Sequence, residues 1–294
     1  MIAAVDLGGG TIRLGLHDGN GWVERVRLPN TDQPADLDAA AAQLTRWRAA
    51  HGAPTRVGVA IPGIVTADGT GLASAHGKYA HLRGRDLRAW AAAAAGAPAR
   101  VENDARAALL GEAAAGAAHG CRDAVLLIVG TGIGTAALVD GHLVRGAHGH
   151  GGVLGGHVTI DLAGAACPCG NLGCAETLGG SWALAGLAAT RPDYGASPLA
   201  SGPVGFREVI AAADAGDPCA AAVLDRALAS WAAVLVTLIH LFDPERVVLA
   251  GGPLCSAPAL VSGLRGRVAS HLWSGIACPD LVVSPRPRSR CSAG

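Results

Sequence analysis

The chain has 294 residues, 23 basic and 23 acidic side chains, 50% hydrophobic residues, 43 glycines, eight cysteines and a single lysine. That length supports one large or two modest domains with a proper core. Balanced, well-mixed charge argues against nucleic acid or an anionic membrane as partner, and the apolar runs at 90–95, 126–129 and 247–250 fall short of the roughly 20 residues a bilayer needs.

The N-terminus, Met1-Ile-Ala-Ala-Val-Asp6, lacks the basic start and long apolar stretch of a signal peptide, so a cytoplasmic protein is expected. Residues 1–7 read as a strand, Gly8-Gly9-Gly10 as a turn, and Thr11–Leu16 as a second strand. Asp18-Gly-Asn-Gly21 is a hairpin signal. Leu37, Leu44 and Trp47 share one face of a helix predicted over 36–50, and 57–61 reads as a buried strand closed by Pro62-Gly63. Lys78 follows Gly77, but Leu72 and Tyr79 stand where a Walker A loop needs Gly and Ser or Thr; no strand-like Val-Ala-Ile-Lys occurs either. Any bound phosphate must therefore rely largely on backbone amides.

Helices are predicted over 87–95 and 104–118. The opening pattern then returns about 120 residues on, with a strand over 124–129, the turn Gly130-Thr-Gly-Ile-Gly134, and a strand over 135–139. A strand follows the glycines in both places, where a dinucleotide-binding unit would have a helix. Two such turns could cradle phosphate oxygens through their N–H groups, or be ordinary tight hairpins. Residues 140–156 carry seven glycines and three histidines and promise no regular structure, and 158–160 reads as a strand. Helices follow over 181–189 and 219–242, then a core strand over 247–250 leading into Gly251-Gly252-Pro253. The alternation is α/β, with domains over 1–118 and 119–294.

Cys167-Pro-Cys169-Gly-Asn-Leu-Gly-Cys174 places three thiols within eight residues, with His157 ten residues upstream at an expected strand start. This is a Cys₃His set for closed, structural zinc, favoured over a disulfide in a cytosolic chain. Cys121, Cys219, Cys255, Cys278 and Cys291 read as bystanders, and His142, His148 and His150 as alternative ligands or solvated loop residues. Asn103-Asp104 lies between a strand and a helix. There an aspartate can take a proton from a substrate hydroxyl, or cap the helix.

Together these motifs resemble the ROK family of sugar kinases and repressors over nearly the whole chain. Asp6-Leu-Gly-Gly-Gly-Thr11 and Gly130-Thr-Gly-Ile-Gly134 are similar to its two phosphate loops, and Val59-Ala-Ile-Pro-Gly63 to its Ala-x-Pro-Gly turn. Glu102-Asn-Asp-Ala105 resembles its catalytic segment, and His157 with the cysteines and Glu176 its zinc signature. Phe242-Asp-Pro-Glu-x-Val-Val-Leu-Ala-Gly-Gly252 is similar to its adenosine-binding strand and turn.

The resemblance implies an actin-like ATPase (ribonuclease H-like) fold, two α/β domains around a cleft. It implies a glucokinase-like transfer from ATP, with Mg²⁺, to the 6-hydroxyl of a hexose. Asp104 would be the base; Asn103, Asp104, His157 and Glu176 would hold the sugar. Asp6 would sit near Mg²⁺, while Gly9, Gly10, Thr11, Thr131 and Gly132 would bind phosphates, and Gly251 and Gly252 the adenosine. His157, Cys167, Cys169 and Cys174 would hold structural Zn²⁺. A homodimer or homotetramer is expected from the family.

The chain departs from the family pattern at four places. Leu154 stands where a sugar-binding glutamate is usual, a loss worth roughly 1–3 kcal/mol if a buried hydroxyl goes unpaired. Lys78-Tyr-Ala-His-Leu82 replaces the usual Asn-Leu-Pro-Gly-Trp, which makes Lys78 a specificity candidate. Gly10-Thr11 stands where Thr-Lys or Thr-Thr is common. The polar Pro/Arg-rich end, 284–294, stands where a closing helix is usual and is expected to fray. These departures leave a non-catalytic, sugar-binding regulator as the alternative, although no N-terminal DNA-binding segment like that of the family's repressors is expected.

Overall fold

Alternating burial along Ile2–Leu7 makes β1, and the chain reverses at Gly8–Gly10 to return antiparallel as β2 (Thr11–His17). The next reversal is held by Asp18 Oδ1, which accepts from the Asn20 and Gly21 amides at 2.8 and 2.9 Å, the Asx-type turn that Asp favours. Then come β3 (Trp22–Pro29), α1 (Ala35–His51) and β4 (Arg56–Ile61), the last parallel to β1. A small hairpin, β5 (Ile64–Val65) and β6 (Leu72–Ser74), precedes α2 (Leu87–Ala95) and β7 (Ala99–Asn103), which is parallel to β4. The main sheet runs β3-β2-β1-β4-β7. Leu37, Leu44 and Trp47 of α1 are buried in the core beneath it, as their helical spacing requires.

The computed structural model describes residues 1–75 and 78–284. Gly77 beside Lys78, and the Pro/Arg-rich tail from 285 with Cys291, lie outside them. The described chain divides into two units, 1–107 with 145–151, and 108–144 with 152 onward.

Helix α3 (Asp104–Ala115) ends three residues before the predicted 118. The Glu112 carboxylate takes the Ala117 amide at 2.6 Å, diverting it from the helical ladder. The second unit then repeats the strand plan of the first. β8 (Ala124–Val129) pairs antiparallel with β9 (Ile133–Val139), and β9 with β10 (His142–Leu143). β9 begins two residues earlier than the sequence suggests, because the turn tightens until the Gly130 amide reaches Gly132 O at 2.9 Å.

Short helices α4 (Glu176–Gly179) and α5 (Leu184–Ala189) lead to α6 (Phe206–Asp214) and α7 (Pro218–Phe242). Strand β11 (Arg246–Ala250), α8 (Gly252–Ser256), α9 (Pro258–His271) and β12 (Asp280–Val283) complete a sheet ordered β10-β9-β8-β11-β12. Helix α7 corrects one expectation: it is long and apolar enough to cross a membrane, yet over half of its most apolar stretch is buried. Trp231, Leu235 and their neighbours pack into the unit's core, so its apolarity serves packing.

Two further expectations change. Val158–Ile160 is not a strand: Thr159 makes one isolated bridge to Cys174, because the folded-back cysteine loop is its sole partner among the described residues. His157 accordingly closes a single 3₁₀ turn, Gly155–His157. Nor is the glycine-rich stretch formless. Thr135 Oγ1 donates to Gly152 O at 2.7 Å and accepts from the Gly155 amide at 2.9 Å. A Cβ at Gly155 or Gly156 would stand within 2.6 Å of Thr135 or Ile133 atoms, so glycine lets this loop pack against β9.

Candidate active site

In the first unit, β7 delivers Asn103 and Asp104 to the start of α3. Two residues compete there for the capping role, and Asn103 takes it: its Oδ1 accepts from the Arg106 amide at 3.1 Å. Asn103 Nδ2 donates to Gly63 O and to Asp104 Oδ1, each at 3.0 Å, so both amide hydrogens are engaged and the side chain is buried. Asp104 Oδ1 also receives the Ala105 amide at 2.9 Å, while Oδ2 accepts no hydrogen bond among the described residues. Burial pushes the Asp104 carboxyl above the ordinary aspartate range; the Ala105 amide opposes this and the Asp6 carboxylate adds to it. Asp6 itself accepts from Arg13 Nη1 at 2.8 Å in an exposed pair.

Beneath this pair, Glu102 Oε1 receives the Asn103 amide at 2.9 Å, and the carboxylate also pairs with Arg145 and with buried Arg106. Arg106 Nη2 donates to Gly151 O. The 145–151 segment thus joins the first unit through two arginines that no motif had singled out. Lys78 Nζ donates to Asn30 O at 3.4 Å.

In the second unit, the ligand atoms of His157, Cys167, Cys169 and Cys174 lie within 4.8 Å of one another. Cys167 Sγ is 3.7 Å from His157 Nδ1, and Cys169 Sγ is 3.6 Å from Cys174 Sγ. Zinc–thiolate bonds of about 2.3 Å in a tetrahedron put two sulfurs about 3.8 Å apart, so the set fits zinc; a disulfide needs about 2.05 Å. Asn171 Nδ2 donates to Cys174 Sγ at 3.4 Å and to His157 O at 3.3 Å, tying the ligands from outside. Glu176, two residues after the last cysteine, accepts from the Ile133 amide and the Trp182 indole. A Cβ at Gly132 would fall 2.4 Å from that carboxylate. Thr131 is exposed, and its carbonyl accepts from the Trp182 amide at 3.3 Å. At the end of β11, Gly251 has φ +101°, and a Cβ there would lie 1.8 Å from Val129 O; Gly252 then opens α8.

In the first glycine turn, Gly9 and Gly10 are exposed and Thr11 starts β2. Buried Asn30 and Tyr79 also reach this turn, and the sequence reading missed them because no local pattern links them to it.

Two mixed sheets of the same strand order, each with a glycine turn between its first two strands, define a duplicated α/β architecture. The chain matches the ROK family over residues 2–292, and it belongs to that family. It is 33% identical to the N-acetyl-D-glucosamine kinase of Erwinia tasmaniensis, with 92% of this chain and 90% of the relative covered. It is 30% identical to the glucokinase of Thermotoga maritima, over 97% and 92% of the two chains. Among solved structures, the ROK hexokinase from Thermus thermophilus superposes with a TM-score of 0.79 at 31% identity, over 97% of this chain and 93% of that one. The fold is therefore the actin-like ATPase fold of the ROK sugar kinases.

Proposed function

We propose that this chain is an ATP-dependent hexose kinase acting on the 6-hydroxyl of glucose or a related amino sugar. The observation that carries the reading is the division of labour at the start of α3. Asn103 satisfies the helix end, which leaves Asp104 Oδ2 available to a substrate hydroxyl. The kinase names of the relatives support it.

In this reading Asp104 accepts the proton of the 6-hydroxyl as that oxygen attacks the γ-phosphorus. The bond to the ADP oxygen breaks, and ADP leaves carrying the displaced charge. Phosphoryl transfer asks mostly for positioning and charge neutralisation, so a glycine-based site without a P-loop lysine suffices. The amides of Gly9, Gly10 and Gly132, with Thr11 and Thr131, hold phosphates, and Gly251-Gly252 give adenosine a close approach to backbone. Asp6 would sit near Mg²⁺, which would supply counter-charge to the phosphates. His157 and Glu176 orient the sugar, with His157 fixed through the Cys₃His cluster, where zinc would lock its ring, while Asn103 acts through Asp104, whose Oδ1 it holds at 3.0 Å.

A coupled ADP-release assay across hexoses and amino sugars tests this. Turnover on at least one sugar is expected. Sugar binding without turnover would instead favour a regulator, the reading that Leu154 supports by standing, 40% exposed, where the family places a hydrogen-bonding glutamate.

A further inference from the structure

Three consecutive glycines make the turn between β1 and β2 about as flexible as a hairpin connection can be. All three of its carbonyl oxygens are nevertheless held by residues distant in sequence. Asn30 Nδ2 shares its hydrogens among Gly8 O at 2.9 Å, Gly9 O at 3.2 Å and the Tyr79 hydroxyl at 2.9 Å. The Asn30 amide reaches Gly10 O at 3.5 Å, and the Tyr79 hydroxyl donates to Gly8 O at 2.9 Å.

Both side chains are buried, Tyr79 to 1% exposure and Asn30 to 8%. Their own placement is fixed in turn. Asn30 Oδ1 receives the Asp32 amide at 2.8 Å, and Asp32 Oδ1 receives the Tyr79 amide at 2.7 Å. Tyr79 sits at φ +68°, a strained backbone for a bulky residue that persists only where its surroundings over-determine it.

The peptide plane turns this clamp into a device for aiming donors. In a trans peptide the carbonyl of one residue and the N–H of the next point to opposite sides. Turning the Gly8 and Gly9 carbonyls toward Asn30 and Tyr79 therefore points the Gly9 and Gly10 amides away from them. Those two amides donate to no described residue, and both glycines are exposed. Successive free amides on one side of a turn can form a concavity that accepts an anion.

We propose that Tyr79 and Asn30 are positioning residues for the nucleotide phosphates. They hold the first glycine turn in its phosphate-accepting form before ATP arrives, so binding does not have to order three glycines. This rests on the kinase reading above, and it assigns Tyr79, within the altered 78–82 segment, to the nucleotide rather than to the sugar.

Tyr79→Phe deletes the hydroxyl and keeps the ring. Calorimetric titration with a non-hydrolysable ATP analogue plus Mg²⁺ should show affinity reduced about three- to tenfold. KM for the sugar should stay unchanged, and hydrogen exchange across 8–11 should quicken in the ligand-free protein. Asn30→Asp, which replaces the donor by a repelling carboxylate, should weaken the analogue further at unchanged sugar KM. If the native chain binds the analogue and Tyr79→Phe binds it equally well, or if sugar KM rises in step, the positioning role is overturned while the kinase reading stands. If the native chain binds no analogue, the kinase reading fails and the role in nucleotide binding falls with it; the exchange measurement then reports on the clamp alone.

Discussion

Glu176 Oε2 accepts the Ile133 amide at 2.8 Å, so the carboxylate that follows the cysteine cluster closes the second glycine turn. Its Oε1 accepts from Trp182 Nε1 at 3.0 Å, and the Ser181 amide donates to Gly130 O at 3.1 Å. The cysteine loop and the turn are thereby one braced unit. Glu176→Gln should weaken an ATP analogue about three- to tenfold, the worth of a hydrogen bond or so, with Trp182→Phe giving the smaller change in the same direction. Titration of the analogue against each variant checks this; a loss confined to sugar affinity in both would remove the bracing role.

The same bracing makes the metal matter beyond its own loop. Elemental analysis of purified protein should find one zinc per chain, and none would sink the Cys₃His assignment. Asn171→Ala keeps all four ligands but removes the donor to Cys174 Sγ, and metal affinity should fall by about ten- to a hundredfold in a chelator competition. Cys174→Ser should lose zinc and lower the unfolding midpoint, because the loop has little apolar surface of its own to bury.

Asp104 carries a linked prediction about catalysis and stability. Its folded-state pKa is raised above 3.8, mainly by burial, so the native state binds the proton more tightly than the unfolded chain does. The stability it contributes is present in acid and is lost as pH rises from the unfolded value through the raised one. At neutral pH the full penalty of the buried charge applies. Asp104→Asn should therefore unfold at a higher temperature than the native chain at pH 7, with the gap closing toward pH 3. Its turnover should drop by a factor of about 10² to 10⁴. The native kcat/KM should decline on the acid side with a midpoint above that of an ordinary aspartate. An active Asn variant would remove Asp104 as base.

Much of this was legible because it is local. Apolar runs flanking Gly8–Gly10 and Gly130–Gly134 mark β1, β2, β8 and β9, and the cysteine spacing together with the upstream His157 marks the cluster. What stayed hidden has no local signature. The Tyr79 hydroxyl meets Gly8 across 71 positions of sequence. The return of 145–151 to the first unit depends on Arg145 finding Glu102, 43 positions away. Asn103 and Asp104 are both good caps, so their competition is decided by β7 geometry rather than by residue type. Helix α7 was legible as a helix over 219–242, but its membrane-like apolarity is explained only by the core around Trp231.

Leu154 offers the sharpest test of substrate choice. It precedes the Gly155–His157 turn, and its backbone carbonyl, not its side chain, holds the loop, accepting from the His157 amide at 2.9 Å. At 40% exposure the side chain contributes little packing, so Leu154→Glu should leave the unfolding midpoint within a degree or two. If the sugar carries a hydroxyl that the leucine leaves unpaired, the new carboxylate gains about 1–3 kcal/mol in the transition state. That corresponds to about a 5- to 150-fold rise in kcat/KM for glucose, measured beside the same ratio for amino sugars. A fall for every sugar would mean that the native substrate presents an apolar group at this position, and that the leucine is its complement.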